Sequence, residues 1–397
     1  MKRSIRDKII FKSYFFVLFL GITSGCSSVS EIKYQSEIDL VVSKWMTDKR
    51  ESLCDIKAYS EGSDGIIIRG ETTIPQIKEE IINTLAKPGI LLTDSIIILP
   101  DTIQNKKYIG VVSLSVANLR KEPRHSAELV SQAILGTPVV ILKEKDSWLL
   151  VQTPDKYISW TEKSSMVLMD KNEFDLWKNL AKIIYIENSG WVYESSDESD
   201  VVGDLVSGAI LEKTGESGKN LNIKFPDGRE GVIRKSAAND YNIWRNDTSV
   251  ADEVVKTAFS FLGLPYLWGG TSSKAVDCSG FIQSVFFRNG LVLARDASLQ
   301  VKHGAIVDVS DGYSDFQKGD LLFFGSRDEK GDHVTHVALY IGDSEFIHAS
   351  SRVMVNSLDS TRVNYSSLRK KSLLSARRII GIEDDEGIVH VGKHQLY

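Results

Sequence analysis

The amino-acid sequence predicts an α+β protein in which two small β-barrels separate an N-terminal α/β region from a C-terminal α+β domain. The barrels are predicted by a repeat in the middle of the chain, in which Gly136 aligns with Gly208 without gaps. Both copies show short alternating apolar runs broken by glycine, proline and serine, a pattern typical of small all-β units. The regions on either side combine helical periodicity with short apolar strands.

Composition and charge exclude several classes of protein. The 397 residues are enough for two to three domains. Hydrophobic residues make up 42% and charged residues 25% of the chain, which excludes a disordered, collagen-like or multi-span membrane protein. The net charge of −5 gives no basic surplus, so we expect no nucleic-acid partner. Three cysteines are too few for a disulfide scaffold.

Residues 1–26 have the layout of a signal peptide: a basic start, an apolar run at 14–22, and small residues before Cys26. The apolar run is shorter than the ~20 residues that span a bilayer. The end of the segment, up to Cys26, resembles a bacterial lipobox. This resemblance implies that Cys26 is lipidated and becomes the mature N-terminus. A soluble secreted protein and an uncleaved anchor are the alternatives.

The lipobox resemblance implies an extracytoplasmic protein that is lipid-anchored to a bacterial membrane and faces the periplasm or the cell envelope. Such a compartment permits disulfides. Cys54 and Cys278 are the remaining cysteines. We expect two free thiols with different roles, and a Cys54–Cys278 bridge acting as an off-switch is the alternative.

Residues 27–108 are predicted to form a small α/β region that serves as scaffold. Thr73 followed by Gln76 is a capping-box pattern and predicts that Thr73 caps a helix. No cluster of chemically reactive side chains is present in this region. Its other predicted elements are a helix at 37–49 and strands at 66–68 and 91–100.

Residues 109–170 and 171–247 are the two copies of the repeat. The first copy contains Asn118-Leu119-Arg120 near its start and Tyr157-Ile158-Ser159-Trp160 near its end, and it resembles the bacterial SH3-like domains of cell-wall proteins. The second copy is degenerate, because Arg229 stands where Tyr157 stands in the first copy and Val232 stands where Trp160 does.

Residues 248–380 form the last predicted domain, followed by a tail at 381–397 to which we assign no role. Asp277 is a suitable N-cap, which places Cys278 in the first turn of a helix. The positive end of the helix dipole favours a thiolate, the nucleophilic form, and the free N–H groups there can hold an oxyanion. A small buried hydrophobic residue is the alternative for this cysteine.

Two histidines are predicted to meet on a β-hairpin at 334–349. His336 and His348 are equidistant from Gly342, so we expect them directly opposite each other on one face. A nucleophile, a base and a group that orients the base form a catalytic triad, and these roles fit Cys278, His336 and His348. The alternatives are two unrelated half-buried histidines, or a zinc site with Cys278 and His333. We expect neither a metal nor a cofactor.

Five short segments of residues 250–380 together form a recognisable set: Pro265-Tyr266-Leu267-Trp268-Gly269-Gly270, Asp277-Cys278-Ser279-Gly280-Phe281, Lys318-Gly319-Asp320-Leu321, His336-Val337-Ala338-Leu339-Tyr340-Ile341-Gly342 and Ile347-His348-Ala349-Ser350. With these segments, residues 250–380 resemble the NlpC family of papain-like cell-wall cysteine peptidases. The presence of two SH3-like modules before the peptidase is similar to one branch of that family, the γ-D-glutamyl-L-diamino acid endopeptidases of dipeptidyl-peptidase VI type. Those enzymes cut stem peptides after L-Ala-γ-D-Glu and need a free N-terminal alanine.

The resemblance implies roles for the residues around the triad. Tyr266 assists the oxyanion side, and Asp277 and Ser279 line the pocket for the glutamyl residue. Asp296 holds the substrate amine, as an acidic residue facing an ammonium should. A turn residue is the alternative for Asp296.

Two residues of the first SH3-like module, Glu128 and Tyr157, are implied to close the substrate pocket. A solvated carboxylate is the alternative for Glu128, and a barrel core residue is the alternative for Tyr157.

The function implied is a cysteine endopeptidase that hydrolyses the γ-D-glutamyl to diamino acid bond of peptidoglycan stem peptides and releases L-Ala-γ-D-Glu. Its expected partners are these muropeptides and, through a lipid anchor, a membrane; we expect a monomer. A broader murein endopeptidase, tethered to intact wall by its SH3-like modules, is one alternative. A non-catalytic peptidoglycan-binding lipoprotein is the other.

Overall fold

The computed structural model describes residues 29–61, 65–102, 106–248, 250–310, 312–382 and 386–397. The predicted signal peptide and Cys26 lie outside the described residues. Among the residues that are described, no helix is long and apolar enough to cross a membrane.

The N-terminal unit is a three-stranded sheet covered by two helices. Strands β1 and β2 pair antiparallel, whereas β2 and β3 pair parallel through the intervening α2. Isoleucines such as Ile68 and Ile77 form the core between sheet and helices. The predicted α/β region is therefore confirmed. Its elements are α1 (Val29–Trp45), β1 (Cys54–Glu61), β2 (Gly65–Thr72), α2 (Pro75–Leu85) and β3 (Leu91–Ile98).

The start of α2 differs from the predicted capping box. The helix begins at Pro75, its N-cap is Ile74, and no side chain caps it. The Thr73 hydroxyl instead accepts a hydrogen bond from the backbone N–H of Leu53 at 2.9 Å. Proline at the first position lacks an N–H and needs no capping partner there, so Thr73 is free to tie α2 to the preceding segment.

The middle of the chain forms two seven-stranded antiparallel sheets, followed in each case by a short helix. The first is ordered β10-β4-β7-β8-β9-β5-β6 and the second β13-β12-β16-β15-β14-β11-β17. The elements are β4 (Ile109–Val112), β5 (Val116–Arg120), β6 (Leu129–Ile134), β7 (Pro138–Lys145), β8 (Trp148–Gln152), β9 (Ile158–Glu162), β10 (Met166–Met169), α3 (Lys171–Lys178), β11 (Lys182–Tyr185), β12 (Ser189–Tyr193), β13 (Val201–Val206), β14 (Ile210–Ser217), β15 (Asn220–Lys224), β16 (Glu230–Arg234), β17 (Ala238–Asp240) and α4 (Tyr241–Arg245).

The strand orders confirm the repeat. When the order of the second sheet is reversed, each of its strands occupies the position of the equivalent strand in the first sheet. For example, β11 takes the position of β4 and β17 that of β10. Among the described residues the edge strands β6 and β10 do not pair with each other, so the SH3-like modules are open sheets and not closed barrels. Gly136 and Gly208 both have a positive φ, at 80° and 90°, a conformation that favours glycine.

The C-terminal domain packs helices against a six-stranded sheet ordered β21-β26-β22-β23-β24-β25. Helix α6 lies against β23, and Phe281, Val285 and Val337 are fully buried between them. The elements are α5 (Ala251–Ser260), β18 (Thr271–Ser272), β19 (Ala275–Val276), α6 (Cys278–Arg288), β20 (Leu291–Leu293), α7 (Ala297–Gln300), β21 (Ala305–Val307), β22 (Leu321–Asp328), β23 (Gly331–Gly342), β24 (Glu345–Ala349), β25 (Val353–Ser357), α8 (Ser367–Ser372), β26 (Leu373–Arg378) and β27 (Ile388–His390).

The C-terminal segment is part of the packed structure. Strand β27 pairs with β20, and Tyr397 is buried together with Ile184, Trp244 and Val292. This cluster joins the second SH3-like module to the peptidase domain, so the segment to which the sequence assigned no role helps to fix their arrangement.

Candidate active site

Cys278 is the first residue of α6, as the sequence predicted. The carboxylate of Asp277 accepts a hydrogen bond from the backbone N–H of Gly280 at 2.7 Å and caps the helix. Cys278 is 8% exposed, and the backbone N–H groups of Val337 and Ser279 favour the charged form of its thiol. Because Val337 follows His336 on β23, the sulfur lies near the strand that carries the first histidine.

The ionisation of this thiol differs from the prediction. Burial and the neighbouring Asp277 carboxylate raise the pKa of Cys278 to about 11, and the opposing contributions of Arg295 and two backbone N–H groups are smaller. The helix dipole therefore does not produce a resting thiolate, since desolvation of the charged form outweighs it. At neutral pH the thiol keeps its proton, and a base has to remove that proton before attack.

The two predicted histidines are in direct contact with each other. His336 Nε2 lies 2.7 Å from His348 Nδ1. His348 Nε2 lies 2.9 Å from Asn356 Oδ1, and the Asn356 amide nitrogen donates to the carbonyl oxygen of Asn364. The sequence did not identify Asn356, which lies on β25 and reaches the histidines only because β25 pairs with β24.

This chain of hydrogen bonds fixes the tautomers. An amide oxygen only accepts hydrogen bonds, so His348 carries its proton on Nε2. Its Nδ1 is then an acceptor, and His336 must carry its proton on Nε2. The Nδ1 atom of His336 is left as the unprotonated ring nitrogen. Burial lowers the pKa of His348 to about 4 and that of His336 well below 6.5, so both rings are neutral at neutral pH.

The register of the hairpin differs from the predicted one. Leu339 pairs with Ile347, so His336 and His348 are offset by two residues and are not directly opposite. Asp343 and Ser344 both have a positive φ and form the turn, and a bulge follows in the ladder. An offset of two keeps both side chains on the same face of the sheet, which is why the rings still meet.

Asp277 and Ser279, predicted to line the glutamyl pocket, are both bound by a buried arginine. Arg295 is 1% exposed and donates to the two carboxylate oxygens of Asp277 at 2.5 and 3.1 Å. It also donates to the Ser279 hydroxyl at 2.9 Å. The Asp277 carboxylate is thus occupied within the protein, and it holds the turn that carries the cysteine.

A cleft of about 250 Å³ is lined in part by Cys278. Its wall is contributed by the peptidase domain, the first SH3-like module and the N-terminal unit. The predicted site residues that line this cleft are Tyr266, Asp277, Cys278, Ser279, Asp296, Glu128 and Tyr157. The structure therefore brings all of them together, although Glu128 and Tyr157 are more than a hundred residues from the cysteine in sequence.

Tyr266 lines the same cleft as the thiol. Burial, together with Cys278 and Asp277, raises the pKa of its phenol to about 12. The phenol therefore keeps its proton at neutral pH and has an O–H to donate. That state matches the implied role on the oxyanion side, which requires a donor.

Asp296 is contacted in this cleft by a residue of the SH3-like module. The Tyr157 hydroxyl donates to Asp296 Oδ2 at 3.3 Å, and Tyr157 itself is 7% exposed. Glu128 is exposed and accepts a hydrogen bond from the Trp268 indole at 3.0 Å. Tyr157 and Glu128 thus each join the SH3-like module to the peptidase domain beside the cleft.

Two arginines at the site were not identified from the sequence. Arg369, on α8, is half-buried near Cys278 and Tyr266, and burial lowers its pKa. Arg50, from the N-terminal unit, donates to Asp296 Oδ2 at 2.7 Å. No local pattern distinguishes these arginines from the others, so sequence reasoning had no signal for them.

The cysteines and the third histidine settle two alternatives. Cys54 and Cys278 are both free thiols, so the bridge between them is not present and the favoured prediction of two free thiols is confirmed.

His333 lies at the exposed end of β23, where its Nε2 is 2.8 Å from Asp328. It points away from the pair formed by His336 and His348, so the combination proposed for zinc is not assembled.

A thiol at a helix N-terminus, facing a strand that bears a neutral histidine held by a second polar ring, defines a cysteine peptidase. Comparison with known proteins agrees. Residues 263–377 match the NlpC/P60 family and residues 119–166 match the bacterial dipeptidyl-peptidase Sh3 domain. The chain belongs to the NlpC/P60 family.

Proteins with known names match the chain over more than half of its length. The chain is 32% identical over 272 residues to dipeptidyl-peptidase 6 of Lysinibacillus sphaericus, covering 64% of this chain and 94% of that protein. It is 31% identical over 232 residues to the γ-D-glutamyl-L-lysine dipeptidyl-peptidase of Bacillus cereus, covering 56% of this chain and 67% of that protein. The crystal structure of an NlpC/P60 family protein from Bacillus cereus superimposes with a TM-score of 0.59 at 25% identity, covering 68% of this chain and 99% of that one.

Proposed function

We propose that this cysteine peptidase hydrolyses the bond between γ-D-glutamate and the diamino acid of peptidoglycan stem peptides and releases L-Ala-γ-D-Glu. The observation that carries the proposal is a cleft that both Cys278 and Asp296 line. Tyr157 and Glu128 of the SH3-like module line the same cleft, and Tyr157 donates to Asp296. The nucleophile therefore shares its cleft with a carboxylate suited to the N-terminal ammonium of a short peptide.

The same residues support a mechanism by way of an acyl-enzyme. His336 Nδ1 takes the thiol proton, and the sulfur attacks the γ-carbonyl carbon of the glutamyl residue. The N–H groups of the first turn of α6 and the Tyr266 hydroxyl stabilise the oxyanion. His336 then returns the proton to the leaving amine as the C–N bond breaks. Water, deprotonated by His336, hydrolyses the thioester and regenerates the thiol.

His348 and Asn356 act through His336 as positioning residues. They hold its proton on Nε2 and thereby keep Nδ1 available as the base. Arg369 adds a positive charge near the developing thiolate, which favours the charged form once the proton has moved.

The acid limb of the pH profile of kcat/KM is expected to lie below pH 6.5. That limb reports protonation of the base in the free enzyme, and burial lowers the pKa of His336 well below 6.5. A base with a lowered pKa stays unprotonated, and active, at more acidic pH. Asn356→Asp places a carboxylate beside His348, favours the protonated imidazoles and should shift the acid limb to higher pH. A wild-type limb at or above 6.5, or an unmoved limb in the variant, would contradict this arrangement.

The substrate proposal is tested with residues 27–397 and two peptides. One is the free tripeptide L-Ala-γ-D-Glu-diaminopimelate, and the other is the same tripeptide capped by muramic acid. Mass spectrometry of the products should show L-Ala-γ-D-Glu released from the free tripeptide. The lysine-containing tripeptide, run in parallel, reports which diamino acid is preferred.

The other outcomes of this test separate the alternatives. Hydrolysis of the capped peptide at an equal rate would move the function to broader murein hydrolysis, with the SH3-like modules as tethers to intact wall. Hydrolysis of neither peptide by a protein whose thiol is shown to be free, together with retention on sacculi, would favour a non-catalytic peptidoglycan-binding lipoprotein.

For the mature protein we propose a monomer anchored through a lipid on Cys26 and facing the cell envelope. The proposal is supported by the lipobox-like end of the signal peptide and by the location of peptidoglycan substrates outside the cytoplasm. Labelling with a fatty-acid analogue, lost in Cys26→Ser together with membrane association, tests the anchor, and an unlabelled wild-type protein would contradict it.

A further inference from the structure

We propose that Arg50 of the N-terminal unit determines specificity by competing with the substrate ammonium for Asp296, which weakens the selection for free N-termini. The inference rests on the proposed function and concerns the Asp296 carboxylate in the same cleft. Arg50 lies outside both segments that match the family models, 119–166 and 263–377. Its contribution to the cleft is therefore not part of the matched family domains.

The guanidinium of Arg50 occupies the polar groups that would receive an amine. One of its nitrogens, Nη1, donates to Asp296 Oδ2 at 2.7 Å and to the Ser298 hydroxyl at 2.9 Å. The same carboxylate oxygen accepts the Tyr157 hydroxyl. Asp296 therefore already has a cationic partner within the protein, and a substrate ammonium has to displace Arg50 or share the carboxylate with it.

Arg50 is held in this position by its own segment. Asp48 accepts hydrogen bonds from Arg50 Nε at 2.9 Å and from Nη2 at 2.7 Å. This paired geometry is typical of strong arginine–carboxylate contacts. It lowers the pKa of Asp48 far below its usual range and raises that of Arg50. The guanidinium therefore stays charged, and Asp48 fixes its orientation towards Asp296.

The segment is in turn fastened to the first SH3-like module. The backbone N–H of Ile158 donates to the carbonyl oxygen of Arg50 at 2.7 Å, and the Gln152 amide donates to that of Glu51 at 2.9 Å. Leu53 and Leu99 pack into an apolar cluster with residues of the module. The position of Arg50 in the cleft is thus fixed by a packed interface that includes buried apolar contacts and backbone hydrogen bonds.

The charges predict which substrates are affected. A free N-terminal ammonium meets a carboxylate that is already neutralised and a guanidinium of like charge nearby. An amide-capped N-terminus carries no charge, so Arg50 neither repels it nor competes with it for Asp296. The ratio of kcat/KM for the free tripeptide to that for its N-acetyl twin should therefore increase when the charge of Arg50 is removed, and we expect an increase of about 10-fold or more for a contact of this kind.

The experiment compares the wild-type protein with Arg50→Gln, Arg50→Lys and Glu71→Gln. Arg50→Lys retains the charge and should keep a ratio near that of the wild type. Glu71 pairs with Lys143 across the same interface but outside the cleft, so Glu71→Gln is the matched control and should leave the ratio unchanged. Thermal unfolding verifies that each variant is folded.

A binding measurement makes the test independent of turnover. In a Cys278→Ala background, calorimetry gives the Kd of L-Ala-γ-D-Glu and of its N-acetyl twin, with and without Arg50→Gln. Selective tightening for the free dipeptide supports the proposal, even if wild-type protein fails to cleave the γ-D-glutamyl bond, in which case only the proposed function is wrong. An unchanged ratio overturns it. An equal increase in affinity for both ligands also overturns it and identifies Arg50 as a residue that blocks the cleft to both ligands.

Discussion

Replacing Cys278 by alanine is expected to reduce hydrolysis of the γ-D-glutamyl bond by about 10⁴-fold or more, because the covalent route is lost. The thiol is the atom to which the helix N-terminus, the Val337 N–H and the His336 strand all converge. Without it, the oxyanion donors and the base have no nucleophile to assist. The measurement is kcat/KM on the free tripeptide, with product identified by mass spectrometry.

Cys54→Ala is the matched control for this prediction. Cys54 is the other free thiol of the described chain, and it packs against the core of the N-terminal sheet. Burial raises the pKa of its thiol, as it does for Cys278, but Cys54 lies outside the residues that line the cleft. Its replacement should leave kcat/KM unchanged. Retained activity in Cys278→Ala, or a comparable loss in Cys54→Ala, would refute the assignment of the nucleophile.

Replacing Arg295 by methionine is expected to lower the free energy of unfolding by about 3–5 kcal/mol, because it leaves the buried Asp277 carboxylate without its cation. Arg295 and Asp277 are 1% and 6% exposed. Arg295 also donates to the hydroxyls of Ser279 and Ser131, and these lose their donor as well. Urea unfolding, followed by a signal from the peptidase domain, measures the change.

An exposed pair gives the contrast for this second prediction. Arg124 binds Glu122 at 2.9 Å, but both side chains are more than half exposed. Water solvates these charges when the partner is removed, so Arg124→Met should leave the free energy of unfolding nearly unchanged. If Arg295→Met lowers the free energy of unfolding by less than about 1 kcal/mol, water or a rearranged donor must reach Asp277. The Arg295–Asp277 pair would then not be what stabilises the turn that carries Cys278.

The same pair explains why the sequence assigned Asp277 incompletely. Its position before an apolar helical run identified it as an N-cap, and the structure confirms that contact. Its partner Arg295 is eighteen residues away along the chain. Nothing in the spacing indicates that the carboxylate is already saturated by an arginine.

The pKa of Cys278 illustrates a second limit of sequence reasoning. The helix position predicts a lowered pKa, because a dipole acts along the helix and can be inferred from local sequence. Burial depends on everything packed over the thiol, including β23, and it raises the pKa instead. The direction of the pKa shift of Cys278 is thus set by desolvation, which depends on the whole folded domain.

Features that depend on neighbouring residues were determined by the sequence alone. The repeat of the SH3-like modules, the helix beginning at Cys278 and the hairpin bearing His336 and His348 follow from periodicity, capping and turn residues. These signals extend over a few residues, so one chain is enough to read them. The family resemblance rests on the same short segments.

The tertiary structure alone decided what the folded surfaces bring together. Asn356 reaches His348 through strand pairing, and Arg50 reaches Asp296 from 246 residues away in the chain. Such contacts depend on how separately folded units dock, through apolar clusters and backbone hydrogen bonds that carry no local signature. For this reason the catalytic residues were predictable from the sequence, whereas the charge that pairs with Asp296 in the cleft was not.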